Sequence, residues 1–161
     1  DGTASGTVML KDIYPGGNHP NRPAFLTVVD NTLYFQANDG IHGFELWKSD
    51  GTGSGTVMVK DINSGNNMGG HSRPIYLTAV GNTLYFVADD GNNGYSGGEL
   101  WKSDGTDSGT VMVKDINSGS GSSAIDELVA VDNLLYFTLL NDTGGYELWI
   151  SDGTDAGTVM V

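Results

Sequence analysis

The chain has 161 residues, a formal net charge of −13 and no cysteine, which excludes a disulfide framework and thiol chemistry. All five lysines fall at repeat-equivalent positions, Lys11, Lys60 and Lys114 in GTVMxKDI and Lys48 and Lys102 in ELWKS. No basic stripe remains for phosphate, so nucleic acid is a poor partner. No run approaches 18 apolar residues, so no membrane-spanning helix is expected.

The first phrase, DGTASGTVML from Asp1, returns as DGTGSGTVMV from Asp50, DGTDSGTVMV from Asp104 and DGTDAGTVMV from Asp152. The period is about fifty residues, too long for leucine-rich or parallel β-helix units and matched by a four-stranded propeller blade. Helical repeats fit the 25 glycines poorly. The expected organisation is a single repeat array over residues 1–161, with repeats 1–49, 50–103 and 104–151 and with 152–161 starting a fourth. The chain opens in mid-phrase without Met, as a mature fragment or a window cut from a longer array would.

Each repeat reads as four strands. Strand a is FLTVV (25–29), with equivalents at 76–80 and 128–131. Two-residue turns at 30–31, 81–82 and 132–133 carry Asp, Asn or Gly, which tolerate positive φ. Strand b is TLYFQA (32–37), TLYFVA (83–88) or LLYFTL (134–139), rich in aromatics that suit a pleated surface. Strand c is FELWKS, GELWKS or YELWIS, and strand d lies in GTVMVKDI after the SDGT loop. Apolar residues occur on both faces of these strands, as in a sheet covered on both sides. The fold expected is all-β: a propeller-type array of four-stranded antiparallel blades, open or part of a larger ring.

The octapeptides ELWKSDGT (45–52 and 99–106) and ELWISDGT (147–154) resemble the ELWxxDGT repeat family, and the resemblance covers the whole chain. It implies a propeller-like β architecture in a large, secreted or surface-exposed bacterial protein, and it implies no particular activity. The SDGT turn is similar in position to the Asp-box SxDxGxTW of sialidase-type propellers, but its spacers are absent and no Trp follows the Thr.

Charged and aromatic residues recur inside the strands. Trp47, Trp101 and Trp149 are expected to serve packing. Glu45 and Glu99 are expected to pair across strands with Lys60 and Lys114, supporting register rather than chemistry.

In a meander, the a–b turns and c–d loops share one end of the sheets, and the d–a and b–c loops share the other. The second end collects the long variable loops at 14–24, 38–43, 63–75, 89–98, 117–125 and 141–145, with all three histidines and both arginines. Variable loops on a rigid scaffold are where binding residues concentrate. The candidate ligand-binding residues are therefore His19, Arg22, Asp39, His42, His71, Arg73, Asp89, Asp90, Asn92 and Asp142. Asp89, Asp90 and Asn92 are the candidate calcium ligands; turn chemistry explains the same residues without a metal. Arg22-Pro23 and Arg73-Pro74 are repeat-equivalent and also read as braces of the crossing loop. No HExxH spacing marks a transition-metal site.

Enzyme signals are absent. Two arginines are too few for the carboxylate clamp of a sialidase, and no GxSxG occurs. Three blades cannot close around an axis, and a bare blade face invites association. The expected function is a non-catalytic, extracellular or cell-surface scaffold that self-assembles into rings or fibres. Its partners would be other copies of itself or adjacent repeats. The alternative is a lectin-like propeller that holds glycans, with or without calcium.

Overall fold

The computed structural model describes residues 2–16, 22–65, 70–92, 98–116, 124–140 and 144–161. These residues form three four-stranded antiparallel sheets, and no helix occurs among them. The first sheet is β1 (Ala24–Val29), β2 (Thr32–Asn38), β3 (Phe44–Ser49) and β4 (Val57–Lys60). The second is β5 (Ile75–Val80), β6 (Thr83–Ala88), β7 (Glu99–Ser103) and β8 (Val111–Lys114). The third is β9 (Ile125–Val131), β10 (Leu134–Leu140), β11 (Tyr146–Ser151) and β12 (Val159–Met160). In each sheet the strands lie in chain order, as consecutive short connections require. Residues 152–161 carry the c–d loop and fourth strand of the third sheet.

The register explains the recurrent letters. Phe35 faces Trp47, Phe86 faces Trp101 and Phe137 faces Trp149 on adjacent strands. The next positions turn to the other face. Tyr34 and Leu46 therefore leave the first sheet on the side away from Phe35 and Trp47, and join a buried cluster with Leu84, Phe86 and Trp101 of the second. Tyr85 and Leu100 repeat this against Leu135, Phe137 and Trp149 of the third. The sheets thus pack face to face in chain order, each giving a Phe/Trp face to the sheet before it and a Tyr/Leu face to the sheet after it. The stack does not close on itself.

Two irregularities recur. The first strand of every sheet carries a bulge at a residue with positive φ: Phe25 (55°), Tyr76 (55°) and Glu127 (51°). Such a conformation is rare for a bulky residue and bends the strand sharply. It also lets the strand resume beyond the bulge, so β9 starts at Ile125, earlier than its apolar run. A second bulge lies in the fourth strand, between the pairings Leu46↔Lys60 and Trp47↔Met58 and again between Leu100↔Lys114 and Trp101↔Met112. All three indole N–H groups are buried without an acceptor among the described residues, and the Trp47 ring also lies under Lys11 Nζ, 6.0 Å from its centroid.

The expected pairing of Glu45 with Lys60 and of Glu99 with Lys114 does not form. Register places Lys60 beside Leu46 and Lys114 beside Leu100, one residue away from each glutamate. The long lysine stems instead run outward to the next sheet. Lys60 Nζ donates to the Asp107 carbonyl and lies 3.4 Å from its carboxylate. Lys114 does the same with Asp155 and also reaches the Thr158 carbonyl. Glu45 stays buried, and its carboxylate accepts from the Ile62 N–H, the Ser72 N–H and the Ser72 hydroxyl. Glu99 accepts from the equivalent Ile116 N–H.

Candidate functional site

The SDGT loops are self-contained. Asp50 Oδ1 accepts from the Thr52 N–H and hydroxyl, Thr52 Oγ1 accepts from the Gly55 N–H, and Thr56 donates back to the Thr52 carbonyl. Ser49 and Thr56 join their hydroxyls beneath the loop at 2.8 Å. The loops at Asp104 and Asp152 repeat these bonds. The Thr hydroxyl and N–H hold each Asp carboxyl below its ordinary value. With its polar groups spent internally, this end of the sheets is a turn device.

The opposite end carries the long loops. Here Asp39 and His42 form one unit, with Nδ1 and Oδ2 2.7 Å apart. The other Asp39 oxygen accepts from the Ile41 and His42 N–H groups. Burial pushes the Asp39 carboxyl up, but the bonds from His42 and Ile41 outweigh it and hold the carboxyl low. The bond to Asp39 raises His42 in turn. His71 is a different group: its Nδ1 accepts the Phe44 N–H at 2.8 Å, and burial, aided by Arg73, lowers its pKa. It is thus kept neutral, stacked in a tilted contact on Phe44.

Arg73 is exposed, with φ 46°, and its N–H bonds the Phe44 carbonyl. Arg22 is exposed on the equivalent loop. Asp89 Oδ1 accepts from the Gly91 N–H, and the two oxygens of Asp90 accept from the backbone and side-chain N–H groups of Asn92. These three candidate calcium ligands therefore close local turns. Among the described residues no three His, Cys, Asp or Glu side chains come together in a metal-binding group. His19 and Asp142 lie outside the described residues.

The crossing from the first sheet to the second frames a cleft of about 330 Å³ lined by Ile41, His42, Asp61, Asn63, Ser64, Gly65 and Gly70. Asp61 and Asn63 each hold a buried Oδ1 with no hydrogen-bond partner among the described residues. Asn63 uses its amide N–H on the His71 carbonyl, which fixes its orientation. Of the residues expected to bind, the structure brings His42 to this cleft and places Asp39 behind it. Arg73 and Asp89 line a separate cleft of about 230 Å³ with Ser72 and Gly98. Asp61 and Asn63 are not among the His, Arg and Asp residues that loop position singled out. The signal for them was KDINSG, which recurs at 60–65 and 114–119 and spans the end of strand d and the start of the crossing loop.

No helix among the described residues is long and apolar enough to cross a membrane. No protein-family model matches the chain, and no curated protein matches it.

Proposed function

We propose that the chain is a non-catalytic structural module of the ELWxxDGT type, acting at the cell surface or outside the cell, whose sheets are propeller blades that assemble through the ends of the stack. The observation that carries this reading is the repeated joint between sheets. Tyr34 and Leu46 bury against the second sheet as Tyr85 and Leu100 bury against the third. A unit that joins its neighbour the same way each time is suited to assembly in an array. The dense internal bonding of the SDGT loops favours a scaffold role over a catalytic one.

The measurement is the mass of the native protein across a concentration series. A defined oligomer or a growing fibre is expected, and a strict monomer at every concentration rejects the reading.

A second reading, glycan binding, is favoured by the cleft at Asp61 and Asn63. Its lining by His42, Asp61, Asn63 and Ser64 supplies the polar groups that a sugar's hydroxyls require. Titration with a panel of glycans tests it, with calcium added and then chelated to separate a metal-dependent site from a direct one.

A further inference from the structure

The three sheets repeat one backbone plan, so residues that change at equivalent positions show what each sheet adds. Just before the first strand the chain has Arg22, Arg73 and Ala124; at the end of the second it has Asn38, Asp89 and Leu140. Between these, register pairs Ala24 with Gln36, Ile75 with Val87 and Asp126 with Thr138. At these positions the second sheet alone combines a cation, an anion and an apolar pair. The first has Arg22 beside Asn38 and Gln36. The third has neither Arg nor Asp at the two outer positions, and its inner pair is polar.

Arg73, Ile75, Val87 and Asp89 line one cleft, of about 230 Å³. Local bonds hold its sides. The Arg73 N–H donates to the Phe44 carbonyl at 3.0 Å, and the Asp89 N–H donates to the Ser72 carbonyl at 2.9 Å, so the two loop segments lie side by side. The Gly91 N–H bonds Asp89 Oδ1 at 2.7 Å and orients the carboxylate. Gly98, also in the lining, fits so close to the Ala88 backbone that a Cβ would strike it. Arg73 has φ 46° and Ala124 has φ 37°. The left-handed backbone therefore belongs to the scaffold, and the guanidinium is what the second repeat adds to it. Among the described residues no ion pair joins Arg73 to Asp89 across the cleft.

We propose that this cleft binds a free α-amino acid with an aliphatic side chain. The carboxylate pairs with the Arg73 guanidinium, whose planar fork matches it. The ammonium pairs with the Asp89 carboxylate, and the side chain lies against Ile75 and Val87. A concave, partly apolar site with a few placed polar groups is the usual form of a small-molecule site. A zwitterion satisfies both charges at once. A neutral sugar satisfies neither, and a simple anion meets Asp89 as well as Arg73. The site goes beyond the scaffold reading and does not depend on it, because its lining falls within one repeat, between Ser72 and Gly98.

The probe is L-leucine, followed by titration calorimetry and by NMR of the histidine rings. His71 is the reporter. Burial and then the Arg73 charge hold its pKa low, so a carboxylate seated on Arg73 should raise it. Leucine is expected to saturate the site. Leucinamide, which lacks the carboxylate, and N-acetyl-leucine, which lacks the ammonium, should each bind at least about tenfold more weakly, the cost of one charge-assisted bond. Two variants use residues that the other repeats already carry. Arg73→Ala matches the third repeat. Asp89→Asn matches the first, where Asn38 Oδ1 accepts from the Gly40 N–H at 2.7 Å as Asp89 does from Gly91. Both should keep the parent's far-UV circular dichroism and bind leucine at least about tenfold more weakly. Binding that survives both substitutions, or equal binding of leucinamide, overturns the site. So does the absence of a saturable signal from leucine, isoleucine and valine alike.

Discussion

Glu45 is the residue where local chemistry and burial are most opposed. Desolvation pushes its carboxyl up to about 7, against the bonds from Ser72 and Ile62 that favour the charged form. Because the folded value lies above the ordinary 4.5, this group stabilises the fold fully below about that pH, and the contribution is lost as pH rises through about 7. The loss is on the order of 3 kcal/mol between those limits. Glu45→Gln cannot ionise, so denaturant unfolding from pH 5 to pH 8 should show a shallower decline than the parent. Equal slopes would mean that Glu45 is already charged at pH 5. The slope is the readout, since glutamine offers fewer acceptor oxygens to Ile62 and Ser72. The ELW pattern marked this glutamate as recurrent. It did not reveal the bonding partners, because Ser72 comes from a crossing loop 27 residues away.

At the scale of the element, the SDGT loop was legible almost residue by residue. Asp, Gly, Thr and the following Gly each have a local bond or a positive φ to justify them, and local bonds depend only on spacing. What spacing leaves out is that Gly105 also receives Tyr34 from the sheet before it. Two substitutions separate these roles. Gly51→Ala and Gly105→Ala both force a Cβ onto a left-handed backbone, at φ 90° and 88°. Only Gly105→Ala also collides with the tyrosine, so in the isolated chain it should cost about 1–3 kcal/mol more, the usual penalty of overpacking. Thermal melts at low protein concentration compare the two. Equal losses would remove the tyrosine contact from the account of how sheets join.

Across the molecule, the buried clusters of described residues that bridge sheets join consecutive sheets, so stability is distributed as in a linear array. The second sheet is covered on both faces, by the Tyr34 cluster on one side and the Phe137 cluster on the other. Among the described residues the third is covered on one face. Amide hydrogen exchange should therefore be slower in β6 and β7 than in β10 and β11. If β11 matched β7 in dilute, monomeric protein, the end sheet would not be the weak one. Concentration-dependent slowing of β11 would instead report self-association.

Period, strand order, turn positions and the two-sided character of each sheet were determined by the sequence alone, because they follow from alternation and from turn residues acting over a few positions. The lysine partners, the recurrent bulges at Phe25, Tyr76 and Glu127, and the Asp61–Asn63 cleft were decided only by tertiary structure. A bulge shifts every later side chain by one place, and a lysine stem is long enough to leave its own sheet. Neither effect can be read from spacing.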